Sequence, residues 1–404
     1  MRSPKLSRDT RLVHAGRHPA DFGGVVNTPV VRASTVLYPD IGAYERSRAS
    51  KFGALRYGRY GTQTSFALCE AMAEIEGADG AVLYPSGLAA IAGVLKSLLS
   101  PGDHLLVTDA VYGPARNFCD TELRRNGIDV TFFAPGIGAS IGDLVRPQTR
   151  VVYCESPGSL TFEVQDIPAI VAGCRSPDIA VVVDNTWATP FFHRPIDLGA
   201  HVAIHAATKY IVGHSDAMLG VAVANERHLP RIRDWAAGHG VLAGPDECWL
   251  ALRGLRSLGA RLRQHQQSAK TIAESLKGHP AVERVLYPAL DTDSSHTIWS
   301  RDFSGATGLF GVELVHTSPD TVRAFIDSLE LFGIGSSWGG FESLILPSKP
   351  VRTATSEPLC KGPLLRLHIG LEDPDDLLDD LQPGLDKLHA ANCRDERKRN
   401  VQHR

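Results

Sequence analysis

Ala206-Ala207-Thr208-Lys209-Tyr210-Ile211-Val212-Gly213-His214-Ser215-Asp216 is the stretch from which the rest of the chain can be read. The small and apolar run from Val202 to Ala206 leads into it and reads as a buried strand. Thr208 and Lys209 stand where that strand would end. Gly213 then breaks any regular element, and a second apolar run, Met218 to Ala224, follows. An ammonium at the end of a buried strand is costly unless it finds a partner or loses its charge. Such a lysine can snorkel to solvent. It can also condense with an aldehyde as a Schiff base, which removes the permanent charge and leaves an internal base.

A second buried strand ends on a charge. Val181-Val182-Val183-Asp184-Asn185-Thr186 places Asp184 after three valines, where a carboxylate needs a cation. A protonated pyridine nitrogen is one such cation. Asp184 and Lys209 are separated by about one connection plus one strand. Their strands can therefore be near one another, with both ends at the sheet edge where ligands sit in such folds.

The surrounding pattern is βαβα. His104 to Thr108, Ile128 to Ala134, Val151 to Glu155, Ile179 to Asp184 and Val202 to Ala206 read as strands too apolar to have a wet face. Tyr112 to Arg125 and Ile167 to Cys174 read as helices between them. This predicts an α/β fold with a mostly parallel sheet covered by helices. Upstream, Gly80 to Tyr84 is a short strand, Ser86-Gly87 a tight turn, and Leu88 onward a helix through Leu99. Small residues at that helix start let backbone N–H groups approach a phosphate. Gly136-Ile137-Gly138 resembles a dinucleotide fingerprint, but Pro135 interrupts it and the spacing to Gly142 is wrong.

Residues 1–62 read as an arm, with short apolar runs and frequent Gly and Pro. It closes on Arg56-Tyr57-Gly58-Arg59-Tyr60-Gly61, either a solvated loop or an anion clasp in which Arg59 supplies a fork of donors and Tyr57 a phenol. The α/β domain spans 63–255. A long helix over about 246–277 leads into a smaller α+β domain, 256–390. The polar tail 391–404 is expected to be disordered.

Composition narrows the function. Hydrophobic residues are 43% and charged residues 22%, as in an ordinary soluble globular protein. A net charge of −3 gives no electrostatic case for nucleic acid or membrane partners. No apolar run reaches membrane-spanning length. The seven cysteines are scattered without a Cys-x-x-Cys, which points to free thiols in a reducing, cytoplasmic setting. No metal-ligand pattern stands out among the 16 histidines.

Lys209, Asp184, the Gly87-Leu88 helix start, and Tyr112 at the head of a helix after a strand make four attachments: Schiff base, ring nitrogen, phosphate and ring face. Pyridoxal 5'-phosphate (PLP) requires those four. Over about residues 7–390 the chain resembles the Cys/Met-metabolism family of PLP enzymes, of fold type I. The resemblance rests on Ser86-Gly87, Asp184-Asn185-Thr186, Thr208-Lys209-Tyr210 and Gly213-His214-Ser215-Asp216. Ser336-Ser337-Trp338-Gly339-Gly340-Phe341-Glu342-Ser343-Leu344 and Arg366-Leu367-His368-Ile369-Gly370-Leu371-Glu372 resemble the bacterial cystathionine β-lyase branch. The γ-synthase and γ-lyase branches usually carry leucine where Trp338 stands.

The resemblance implies a fold type I architecture, with a large sheet of the seven-stranded type and a smaller C-terminal α+β domain. It implies that Lys209 holds PLP and shuttles protons, and that Asp184 binds the ring nitrogen while Tyr112 stacks on the ring. Gly87, Leu88 and Thr208 would bind the phosphate. Tyr57 and Arg59 would reach the site of a neighbouring subunit, touching cofactor phosphate and substrate, in a homotetramer built as a dimer of dimers. Arg366 would clamp the α-carboxylate of an amino-acid thioether, with Ser337 and Trp338 beside it. The expected reaction is β-elimination at a C–S bond, with γ-elimination or γ-replacement, wider cysteine-conjugate cleavage and a non-enzymatic regulator as alternatives. Two departures are visible: Ala206 stands where many relatives have a phosphate-binding serine, and Phe341 where tyrosine is common.

Overall fold

In the computed structural model, which describes residues 6–49, 52, 54–355 and 359–402, the chain builds two sheets. The first has seven strands: β1 (Gly80–Tyr84), β2 (His104–Thr108), β3 (Asp129–Phe133), β4 (Thr149–Glu155), β5 (Ala180–Asp184), β6 (Val202–Ala206) and β7 (Gly220–Ala224). Their order across the sheet is β1-β7-β6-β5-β4-β2-β3. The pairs β2–β3, β2–β4, β4–β5 and β5–β6 are parallel, and β7 runs antiparallel to both its neighbours. The expected large, mostly parallel sheet is therefore present. Its central strands are buried along their whole length, because helices cover both faces.

The second sheet has order β10-β11-β9-β8 and is antiparallel throughout. Its strands are β8 (Val282–Leu286), β9 (Leu309–Leu314), β10 (Leu344–Ser348) and β11 (Leu364–His368). The helix Pro245–Lys277 carries a buried stripe that includes Leu252, Leu255, Leu258, Leu262, Ala269 and Ile272. This stripe belongs to one apolar cluster that also takes in Leu68, Met72, Phe310 and Leu367, so a single core runs under both sheets. The boundary expected at 255/256 falls inside that helix.

The arm is not uniform. The helix Arg8–His14 packs on the long helix, with Leu12 buried. Arg256 Nη1 donates to the carbonyls of Leu12 and Ala15 at 2.7 and 2.9 Å. Beyond it the apolar side chains Val25, Val26, Leu37, Ile41 and Tyr44 lie exposed.

The end of the chain departs from expectation. No regular structure was expected after Ala391, but the last helix spans Pro374–Gln402. Charged residues with good helix propensity, and no Gly or Pro after Gly384, let the backbone continue its ladder where there is no reason to stop.

Candidate active site

The site forms at the carboxyl edge of the first sheet. Glu155, Asp184 and Ala206 are the last residues of the parallel neighbours β4, β5 and β6. Glu155 and Asp184 are register partners, as are Ala206 and Gly220. Open parallel sheets leave a crevice at that edge, because the crossover helices begin beyond it. A cleft of about 570 Å³ opens there. Gly87, Leu88, Tyr112, Asp184, Thr208, Lys209, Ser337, Trp338 and Arg366, all singled out from sequence, line it. Tyr57 and Arg59 do not. Tyr57 is exposed, and Arg59 bonds the Ala237 carbonyl and, at 2.9 Å, the Tyr60 hydroxyl on another face of the chain.

Lys209 follows β6 in a turn, with its N–H on the Ala206 carbonyl at 3.0 Å. Its Nζ donates to Ser337 Oγ at 2.6 Å and lies 5.0 Å from the centre of the Trp338 ring. Burial pushes its ammonium down to about 8, the Arg366 charge adds to this, and Asp184 opposes it. The amine is thus readied for neutral chemistry close to physiological pH.

Asp184 accepts from the Thr186 N–H at 3.0 Å. Among the described residues no Lys or Arg lies within ion-pair distance of it; burial raises its carboxyl, and the Thr186 hydrogen bonds and the His205 ring act the other way. Glu155 is raised further, first by burial and then by Asp184 itself. Two carboxyls so close do not both ionise readily, so Glu155 and Asp184 titrate as a pair, both raised by burial and Glu155 also by Asp184. Glu155 Oε2 also accepts from the backbone N–H of Tyr112 at 2.6 Å, which ties the Tyr112 loop to the end of β4. Glu155 escaped the sequence reading, although it ends an apolar strand as Asp184 does.

The helix Gly87–Leu98 starts at the cleft, capped by Ser86 Oγ, which accepts from the Ala89 N–H at 3.1 Å. A Cβ on Gly87 would stand 2.6 Å from Ala206 Cβ, so only glycine lets the helix start lie this close to β6. Thr208 Oγ1 bridges Leu219, donating to its carbonyl at 3.2 Å and accepting from its N–H at 2.9 Å. Across the cleft, Arg366 Nη2 donates to the Ser337 carbonyl at 3.0 Å. Its Nη1 and Nε have no partner among the described residues and remain able to grip a carboxylate.

A buried carboxylate lacking its cation, a depressed lysine, and a helix N-terminus close enough to receive an anion fit a phosphorylated pyridine aldehyde. The model of the Cys/Met metabolism PLP-dependent enzymes matches residues 9–386. The chain belongs to that family. Pyridoxal phosphate is its cofactor.

Among curated relatives, a "Putative cystathionine beta-lyase" of Rhizobium johnstonii is 47% identical over 387 residues, covering 95% of this chain and 97% of that protein. A cystathionine beta-lyase of Escherichia coli is 44% identical over 390 residues, covering 94% and 98%. Among solved structures, a cystathionine gamma synthase of Xanthomonas oryzae pv. oryzae in complex with cystathionine superposes with a TM-score of 0.87. It is 33% identical and covers 95% of this chain and 99% of its own. The α/β fold of this family is therefore the fold of this chain.

Proposed function

We propose that this protein is a carbon–sulfur β-lyase that cleaves L-cystathionine to homocysteine, pyruvate and ammonia. The observation that carries the reading is the convergence of Lys209, Trp338 and Arg366 on one cleft. Trp338 stands over the lysine nitrogen, at the position where γ-branch members usually carry leucine. Extended similarity to proteins named as cystathionine β-lyases supports the same substrate.

Asp184 would hold the cofactor's ring nitrogen in its protonated form, and the Gly87–Leu88 amides with Thr208 would hold its phosphate. Tyr112 would cover the ring face. The bound cofactor supplies an electron sink for charge that develops at the substrate α-carbon. Arg366 fixes the α-carboxylate with its free N–H groups, and so sets which α-bond faces Lys209. Lys209 as the neutral amine takes the α-proton at Nζ and returns a proton to the departing sulfur as the β C–S bond breaks. Ser337 Oγ limits where Nζ can swing. Its acceptance of the lysine N–H keeps the amine near the middle of the cleft.

Tyr57 and Arg59 would serve the cleft of a second copy, within a homotetramer of paired sites. The support is the exposed apolar arm around Leu37 and Ile41, a surface that a second chain would cover. Seven cysteines without a disulfide among the described residues agree with a cytoplasmic location.

The decisive assay is the keto acid released from L-cystathionine. Pyruvate with homocysteine supports β-cleavage, whereas 2-oxobutyrate with cysteine would transfer the protein to the γ-lyases. Lack of turnover, with the cofactor bound and Lys209 modified, would favour a non-catalytic role.

A further inference from the structure

His368 lies two residues beyond Arg366 on β11, fully buried, and no catalytic role has been given to it above. Its Nε2 is 3.1 Å from the Gly339 nitrogen and 3.2 Å from the Gly340 carbonyl oxygen. Its Nδ1 is 3.5 Å from the Tyr210 hydroxyl. Burial holds the ring neutral, pushing it down to about 3, so it carries a single N–H. The Gly339 amide proton is fixed by the backbone and aimed at Nε2. Nε2 is therefore assigned as the acceptor, with the ring proton on Nδ1 towards Tyr210, and the Gly340 carbonyl at 3.2 Å is then a contact and not a hydrogen bond.

The turn that this contact holds is unusual. Ser337 has a φ of 81° and Gly339 a φ of 89°. The first is a left-handed conformation that a residue with a side chain adopts only when its surroundings enforce it. Gly339 presses on the lysine backbone: a Cβ there would come within 2.9 Å of the Lys209 carbonyl carbon and 2.8 Å of the Tyr210 nitrogen. The same turn carries the Ser337 hydroxyl that meets Lys209 Nζ at 2.6 Å and the Trp338 ring that lies over it. Tyr210, next to the lysine, packs on both Trp338 and His368, with ring centres 5.5 and 5.7 Å apart. One imidazole thus touches the residue after the lysine and the residue two after Ser337.

We propose that His368 is a positioning residue for Lys209: by accepting the Gly339 amide proton it holds the 336–340 turn in the register that brings Ser337 Oγ onto the lysine nitrogen. This rests on Lys209 as the cofactor-bearing lysine. That assignment is checked separately, by borohydride reduction of the wild-type holoenzyme and peptide mapping.

The test compares His368→Phe, which keeps a ring and removes the acceptor, with His368→Gln, whose Oε1 can reach the position of Nε2. Both are read by kcat, KM and the pH titration of the visible absorption band of the cofactor-loaded enzyme. The phenylalanine variant should lose about tenfold to a hundredfold in kcat, the scale expected for a misplaced catalytic group. Its KM should stay near wild type and its band midpoint should move. Glutamine should restore most of kcat and the original midpoint. Wild-type kcat and midpoint in the phenylalanine variant would overturn the proposal. So would equal impairment of the two variants, or failure of both to fold, since His368 would then serve packing alone.

Discussion

Lys209 Nζ and Ser337 Oγ meet at 2.6 Å, although 128 positions separate the two residues. The contact joins the edge of the first sheet to the turn that precedes β10, at the atom on which the proposed chemistry depends. It also leaves the lysine buried enough to lower its ammonium to about 8.

That value sets a pH dependence for cofactor attachment. The neutral amine is the reactive form, and its population grows as pH rises towards the depressed value. The rate at which cofactor-stripped protein takes up PLP covalently should rise about tenfold per pH unit below pH 8 and level off above it. Stopped-flow absorbance over pH 6 to 10 measures this. A rise that continues past pH 10 would mean an ordinary lysine.

Arg366→Lys should leave cofactor binding intact and lower kcat/KM for cystathionine by about tenfold to a hundredfold. A lysine keeps the charge but loses the fork that can hold both the Ser337 carbonyl and a carboxylate, a charge-assisted contact of about 1.5–3 kcal/mol. Loss of the cofactor's visible band instead would place Arg366 at the cofactor.

Ala206→Ser should tighten cofactor binding. Ala206 Cβ faces the helix start at Gly87, proposed above to hold the phosphate, where a hydroxyl would add one donor. The gain should be about 1 kcal/mol, near fivefold in Kd, measured by fluorescence titration of stripped protein. An unchanged Kd would mean that the phosphate does not approach β6.

Mixed subunits test the arm. Lys209→Ala and Arg59→Ala, each inactive, should regain about a quarter of wild-type activity when dissociated and reassociated in equal amounts. Half the dimers are then mixed, and each has one site with both residues intact. Verified exchange of tagged chains without recovery would show that Arg59 serves its own chain.

His193 gives a stability prediction. It is buried, its Nδ1 is bonded to Asn185 Oδ1 at 2.9 Å, its Nε2 has no partner, and burial pushes it down to about 3. The folded state thus disfavours the charged ring. Its stabilising contribution is present above the unfolded value near 6.5 and is lost as pH falls below it. Between pH 7.5 and 5.5 the wild type should lose about 1.4 kcal/mol more than His193→Phe. Urea titrations at the two pH values compare them, and equal losses would mean that the ring is charged in the fold.

Sequence by itself determined the sheet and the two charged strand ends. A run such as Val181-Val182-Val183 followed by an aspartate is a local signal, since burial of the valines forces the carboxylate to the strand edge. Lys209 after Val202–Ala206 and the glycine at the head of the helix Gly87–Leu98 are legible for the same reason. β8 and β10 are not legible in the sequence, because their burial is mixed and does not follow a period of two along the strand.

Only the tertiary structure decided who stands beside whom. Glu155 became Asp184's neighbour because β4 and β5 pair in register. The same fold turned Ser337 onto Lys209, aimed His368 at the Gly339 amide, and carried Arg59 away from its own cleft to the Ala237 carbonyl. Those relations depend on strand order and domain packing between segments far apart in the chain. Periodicity reports only which face of its own element a residue occupies.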